Sequence, residues 1–125
     1  MTDSKSIAIT CARLAWAKKA ENIVVIDVRG LTDITDFMVI TSVTSSAQSK
    51  AVVAEIRSGL KKYSVHSFGR EGDSDATWVL LDYLDVLVHI FEPQTRSFYD
   101  LENLWGDAPR VKWEEMSAAD VEAAQ

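Results

Sequence analysis

The sequence has little cysteine and no long apolar run, and each shortage excludes a class of protein. A single cysteine, Cys11, rules out an intramolecular disulfide and any zinc site built from several cysteines, and it fits a reducing compartment. No stretch approaches the roughly 18 uncharged apolar residues of a membrane span. The N-terminus carries Asp3, Lys5 and Arg13 without a continuous apolar core, so we expect no cleaved signal peptide. These absences predict a cytoplasmic protein that folds without covalent cross-links.

The composition that remains is that of one globular domain. The chain has 125 residues, of which 47% are hydrophobic and 26% are charged. A chain of this length buries roughly two-thirds of the surface it exposes when unfolded, which suffices for a core without disulfides or a structural metal.

Charge is distributed unevenly around the net value of -6. Residues 1–70 hold ten Lys/Arg and six Asp/Glu, whereas residues 71–125 hold three Lys/Arg and thirteen Asp/Glu. Phosphate binding needs cations that displace counterions, so the acidic half disfavours free nucleic acid as a partner. Opposite potentials steer protein encounters, which favours a basic protein surface as the partner. The alternative is that the acidic residues only keep a small domain soluble.

Hydrophobic periodicity predicts the element order α-β-β-α-β-β-β-α. We expect a helix that begins after Asp3 or Ser4, strands at 23–28 and 37–42 that pair, a helix from Ser45 to about residue 63, strands at 65–68, 78–83 and 86–91, and a final helix at 94–105. Residues 69–76 are expected to form a loop. This order predicts a single α+β domain, with one mixed sheet and packed helices, over residues 1–110. Residues 111–125 are expected to be a mobile or weakly helical tail.

Catalytic and cofactor motifs are weak or missing. His66 and His89 are the only histidines and lie in no metal-binding pattern, and no glycine-rich phosphate loop is present. Asp82 and Asp85 are three residues apart across a turn, a spacing that does not place carboxylates on one strand face. Ser45 and Ser46 precede a helix, where capping explains serine as well as anion binding does. We therefore expect no cofactor, no metal and no catalytic residue.

An acidic, aromatic segment at residues 71–110 favours a recognition surface instead. It holds nine Asp/Glu and two Arg, together with aromatic residues of the kind that anchor interfaces. Alternation along the strand at 78–83 puts Trp78, Leu80 and Asp82 on one face. An acid in this set indicates that the face meets solvent, which would leave Trp78 and Leu80 as an apolar patch on an open sheet. The alternative is that a helix covers both.

Several motifs resemble the ribosomal silencing factor (Iojap) family over roughly residues 5–110. They are Trp78-Val79-Leu80-Leu81-Asp82-Tyr83 with Asp85-Val86 and Val88-His89, then Phe98-Tyr99-Asp100-Leu101-Glu102 and Leu104-Trp105-Gly106-Asp107-Ala108-Pro109, and upstream Asp27-Val28-Arg29, Ile34-Thr35-Asp36-Phe37 and Thr44-Ser45-Ser46 with Gln48. The run near residues 104–109 is specific.

The resemblance implies a non-catalytic protein that is similar in fold to nucleotidyltransferases but lacks their catalytic carboxylates. It also implies binding to the large ribosomal subunit through ribosomal protein fourteen, which blocks small-subunit joining and represses translation when nutrients are short. A homodimer and a link to large-subunit maturation have precedent in the family. The alternatives from the residues are an assembly factor without a blocking role and a nucleotidyltransferase-like enzyme.

The partner-binding residues implied by the resemblance lie in the hairpin and around the last helix. They are Trp78, Leu80, Asp82, Tyr83, Asp85, Asp100, Glu102, Trp105 and Asp107, with Trp78 and Tyr83 as apolar anchors and the carboxylates facing Lys and Arg of the partner. Trp105 has the alternative role of pinning the last helix to the sheet. Leu84 departs from the family pattern at the hairpin turn, where many members have Gly or another residue that tolerates a turn. Leucine disfavours a positive φ, which favours another type of hairpin here. Val111, Trp113 and Met116 are candidates to dock on the domain or on a second copy.

Overall fold

The element order is α-β-β-α-β-β-β-α-α in the computed structural model, which describes residues 3–72 and 76–114. The elements are α1 (Ser4–Ala17), β1 (Glu21–Asp27), β2 (Phe37–Ser42), α2 (Ser46–Lys61), β3 (Gly69–Glu71), β4 (Trp78–Asp82), β5 (Val86–Phe91), α3 (Pro93–Tyr99) and α4 (Leu101–Leu104). The predicted α+β domain with a mixed sheet is confirmed. Among the described residues, no helix has the length and apolar character needed to cross a bilayer.

The two long helices begin at side-chain caps. The Asp3 carboxylate accepts hydrogen bonds from the backbone N–H of Lys5 and Ser6 at 2.8 and 3.3 Å. Ser45 Oγ accepts from Gln48 N–H at 3.1 Å, which confirms the predicted cap of α2. The amide of Gln48 then donates to the carbonyls of Lys18 and Lys19, so the start of α2 is tied to the end of α1.

The sheet has the strand order β1-β2-β5-β4-β3. β1 and β2 pair, as predicted, and run antiparallel, whereas β2 and β5 run parallel in the centre. β4 pairs antiparallel with both β5 and β3. β3 is the edge strand on this side of the sheet and is only three residues long.

The two faces of the sheet are covered unequally. The helix-covered face packs against α1 and α2, and its core includes Val39, Leu81, Val88 and Ile90 with exposures of 1% or less. The opposite face, here called the open face, carries a smaller cluster under the segment that contains α4. This second cluster comprises Ile26, Val28, Met38, Ile40, Phe91 and Ala108, with Leu101 and Trp105 packed against it.

Two predicted elements differ in the structure. The strand predicted at 65–68 lies instead at Gly69–Glu71, inside the predicted loop. Hydrogen bonding to β4 begins only where Phe68 N–H donates to Asp82 O, so the residues before Phe68 do not form a strand. The predicted final helix is split into α3 and α4, because Asp100 takes a left-handed φ of 47° that ends the first helix. Aspartate tolerates this conformation better than most non-glycine residues.

The segment after α4 packs against β1. Val111 N–H donates to Val25 O at 2.8 Å, and Trp113 Nε1 donates to Ile23 O at 3.2 Å. Trp113 is buried and anchors the start of the predicted tail, which is a packed, non-helical segment. The predicted boundary at residue 110 falls inside this segment, and Met116 lies outside the described residues.

Candidate functional site

Strand register defines which side chains share the open face. Asp82 pairs with Leu87, which pairs with Met38, and Leu80 pairs with His89, which pairs with Ile40. The side chains of β2 in these rows are buried, whereas those of β4 are half-buried. The uncovered part of the face therefore centres on Trp78, Leu80, Asp82 and Leu87. The expectation that Trp78, Leu80 and Asp82 meet solvent is confirmed in part, because all three are half-buried and Tyr99 of α3 packs against Trp78.

Trp78 is held in place by an aromatic cluster and one hydrogen bond. Its ring centroid lies 4.9 Å from that of Phe91 and 4.8 Å from that of Tyr99. Its indole Nε1 donates to Nδ1 of His89 at 3.1 Å. An indole fixed in this way loses little conformational entropy when a partner covers it, which is the property of an anchor residue.

His89 is the buried partner of Trp78, at 5% exposure. Burial lowers the pKa of His89 to about 4, because desolvation disfavours the imidazolium. Since Nδ1 accepts the hydrogen bond from the indole N–H, the neutral ring carries its own proton on Nε2. That nitrogen is buried and has no hydrogen-bond partner among the described residues.

A groove lies beside Trp78, between the start of β4 and α3. Its volume is about 550 Å³, and its apolar walls include Phe98 and Tyr99. Phe98 is 80% exposed, although its ring packs edge-on against Tyr99 with centroids 5.1 Å apart. The groove extends the apolar part of the open face beyond the sheet, as an interface of useful size requires.

Carboxylates border this apolar centre. Asp82 lies in the β4 row and its Oδ1 accepts the Leu84 N–H at 2.8 Å, while Asp85 is exposed at the turn. Glu71 is exposed on β3 directly opposite Leu80. Apolar groups inside a charged rim are the arrangement typical of protein interfaces.

The turn between β4 and β5 is tight and is centred on Leu84. Asp85 N–H donates to Tyr83 O at 2.9 Å, which closes a three-residue turn centred on Leu84 with a φ of 69°. Leucine at this position therefore adds backbone strain, but it does not prevent a turn with a positive φ.

The predicted residues around the last helix have different environments. Glu102 accepts from Arg96 Nε at 3.1 Å, and Arg96 is buried and also donates to Ser42 Oγ at 2.8 Å. Glu102 is thus already paired within the chain. Asp100 and Asp107 are exposed, whereas Trp105 is half-buried and packs on the second cluster.

Tyr83 does not lie on the open face. It is 6% exposed and belongs to the helix-covered core, because alternation along the strand turns it away from Trp78 and Leu80. Desolvation raises the pKa of its hydroxyl, which is buried without a partner among the described residues. The expectation of Tyr83 as an exposed anchor is therefore wrong.

Three surface residues were missed from the sequence. Leu87 pairs directly with Asp82, and alternation in β5 already places it apart from the buried Val86 and Val88. Phe98 and Tyr99 belong to a motif of the resemblance, but their position beside Trp78 depends on where α3 packs. No local pattern reports that docking.

Residues suited to catalysis are dispersed in the described part of the chain. No group of three or more His, Cys, Asp or Glu residues lies together there. Cys11 is fully buried, and burial raises the pKa of its thiol far above the range in which a nucleophilic thiolate forms. The arrangement as a whole is suited to binding a protein surface.

Comparison with known proteins gives consistent results. The family model described as "Ribosomal silencing factor during starvation" matches residues 1–125. The ribosomal silencing factor RsfS of Bacillus subtilis is 37% identical over 107 residues, which cover 86% of this chain and 91% of that protein. The chloroplastic protein Iojap of Zea mays is 39% identical over 108 residues, which cover 86% of this chain and 46% of that protein.

The fold is similar to that of solved structures. A crystal structure of a protein from Chromobacterium violaceum superimposes with a TM-score of 0.80 at 28% identity, over 95% of this chain and 98% of that one. A structure from Bacillus halodurans gives a TM-score of 0.71 at 32% identity, over 82% and 93% of the two chains.

Proposed function

Because the chain belongs to the ribosomal silencing factor family, we propose that it binds the large ribosomal subunit through ribosomal protein fourteen and sterically blocks joining of the small subunit. In this proposal, the outcome is repression of translation under nutrient limitation. The observation that carries the proposal is the open face, where Trp78, Leu80 and Leu87 form a partly uncovered apolar centre beside carboxylates.

The chemistry of the open face favours a basic protein partner. Leu80 and the exposed edge of Trp78 offer apolar area, while Glu71, Asp82 and Asp85 supply negative charge around it. A basic ribosomal protein complements this charge, and such complementarity accelerates encounter and selects against acidic partners. Asp100 and Asp107 belong to the outer rim in this proposal, where single charges contribute little affinity.

Other residues of the predicted site support the fold that presents this surface. Arg96 and Glu102 hold the α3–α4 segment to the sheet, and Trp105 packs beneath that segment. Tyr83 supports β4 from the opposite side.

Silencing by occlusion needs no chemical step by the protein. If the factor and the small subunit compete for overlapping sites on the large subunit, mass action alone lowers the population of joined ribosomes. A protein that instead only assists assembly would bind the same surface without reducing joining.

The test is co-sedimentation with isolated large subunits, followed by addition of small subunits. We expect the protein to pellet with large subunits and to reduce the joined-ribosome peak in proportion to its occupancy. Leu80→Asp should abolish both effects, because it places a charge in the apolar centre. Leu31→Asp is the matched control, since Leu31 is exposed in the β1–β2 loop and lies in neither sheet face.

Each contrary result has a distinct meaning. Binding without reduced joining would assign the protein to assembly. No pelleting at low salt would contradict the proposal, and stabilisation by a nucleotide with magnesium would then favour an enzyme.

A further inference from the structure

The helix layer on the other side of the molecule is strongly basic. Residues 3–19 and 45–62, which comprise α1, α2 and their caps, hold eight Lys/Arg and two Asp/Glu. The rest of the chain holds five Lys/Arg and seventeen Asp/Glu. The uneven charge seen in the sequence therefore becomes a separation between helix layer and sheet.

The exposed basic residues of α2 follow one stripe. Lys50, Arg57 and Lys61 are seven and four residues apart, a spacing that keeps side chains on one helix face. All three are exposed, whereas Val52 and Ile56, on the side of α2 that faces the core, are buried. A helix of 16 residues is about 24 Å long, so the stripe extends along much of that length.

A polar cleft lies at the C-terminal end of this stripe. It has a volume of about 320 Å³ and is lined by Arg57, Ser58, Lys61, Val65, His66, Ser67 and Tyr83. Serine hydroxyls and an imidazole beside two cations offer the mixed neutral and charged donors that a phosphate group uses.

Simpler accounts explain only part of this charge. Basic residues complement the helix dipole within the last turn, which accounts for Lys61 but not for Lys50 or Arg57. Solubility requires both signs interspersed, whereas this layer is almost entirely of one sign. In the described part of the chain, no carboxylate forms an ion pair with Lys50, Arg57 or Lys61.

We propose that the track formed by Lys50, Arg57 and Lys61, with the cleft beside it, binds the phosphate backbone of RNA. The choice of RNA rests on charge complementarity and on the family's ribosomal association, since a ribosome presents RNA over much of its surface. The acidic sheet does not prevent this contact, because exposed charges farther away than the Debye length of about 8 Å are largely screened.

The test is fluorescence anisotropy of a short labelled single-stranded RNA titrated with the purified protein at several salt concentrations. We expect binding at low salt that weakens as salt rises. Arg57→Glu and Lys50→Glu should each weaken binding and lower the slope of log K against log salt by about one. Arg110→Glu is the matched control, since it makes the same change in net charge at an exposed residue beside β1.

Three results would overturn the proposal. They are no RNA binding by the wild type at low salt, equal losses in all three variants, or unchanged affinity in folded Arg57→Glu and Lys50→Glu. A change of oligomeric state in those two variants with unchanged RNA affinity would instead assign the track to a second copy. Leu80→Asp should retain RNA binding, so this proposal and the docking proposal fail independently.

Discussion

The two faces of the sheet use neighbouring leucines for opposite purposes. Leu81 is fully buried under the helices, whereas Leu80, one residue earlier on the same strand, is half-buried on the open face. The helix-covered face is filled mainly by apolar side chains, with the fully buried Thr41 and the Tyr83 hydroxyl among them. The open face mixes apolar residues with His89, Asp82 and a buried arginine. The difference assigns most of the stability of the domain to one face and is consistent with our proposal that the other face binds a partner.

The largest effect on stability should come from truncating Leu81, and truncation of Leu80 provides the comparison. Leu81→Ala should lower the free energy of unfolding by about 2–5 kcal/mol, because it leaves a cavity in a closely packed core. Leu80→Ala should cost much less, because its side chain is already partly hydrated. Urea denaturation measures both. Equal losses would show that the two faces do not differ in the way described.

Acid should destabilise the open face through His89. Its pKa is lowered from 6.5 to about 4 in the fold, so the unfolded state binds the extra proton first. Stability should therefore be fully present above pH 6.5 and fall by about 3 kcal/mol as the pH drops towards 4.

His89→Gln provides the control for this pH dependence, because glutamine does not titrate. Denaturation between pH 7 and 4 should show a flatter profile for the variant. Carboxylates such as Asp27, whose pKa is lowered chiefly by its hydrogen bond with Arg29, act only in more acidic solution. Identical profiles for variant and wild type above pH 4 would contradict the assignment to His89.

Loss of Arg96 should loosen the cover of the open face. Arg96→Met keeps much of the side-chain volume but leaves Ser42 and Glu102 without their donor. We expect a loss of about 1–3 kcal/mol. Hydrogen exchange should then accelerate in α3 and α4 while α1 and α2 stay protected. Uniform acceleration would show that the segment does not move separately.

The smallest effect concerns the turn that joins the two hairpin strands. Leu84→Gly relieves a positive φ but adds freedom to the unfolded chain, so we expect a gain of at most about 1 kcal/mol. Thermal unfolding should show a slightly higher Tm with unchanged partner affinity. A clear loss of stability would mean that the exposed Leu84 side chain makes contacts that outweigh the strain.

Strand alternation was the most informative feature of the sequence. It placed Trp78, Leu80 and Asp82 together and predicted that they meet solvent, which the burial of β4 confirms in part. The same alternation places Tyr83 on the opposite face. The resemblance motif suggested an anchor there because a motif does not separate interface residues from core residues.

The features that were missed depend on long-range packing. β3 is short and fully exposed, so no hydrophobic pattern marks it, and its pairing with β4 alone defines it. The break at Asp100 requires a left-handed backbone that residue type only permits. The Arg96–Ser42 hydrogen bond joins residues 54 positions apart, and local sequence patterns do not predict contacts over that separation.

The central claim is that the open face is the docking surface, and affinity for isolated ribosomal protein fourteen tests it most directly. Isothermal titration should compare the wild type with Trp78→Ala and Trp16→Ala, which remove the same side chain from the sheet face and the helix layer. An anchor contributes about 2 kcal/mol or more, so folded Trp78→Ala should bind at least about tenfold more weakly while Trp16→Ala binds normally. Unchanged affinity in folded Trp78→Ala, or an equal loss in both variants, would contradict the claim.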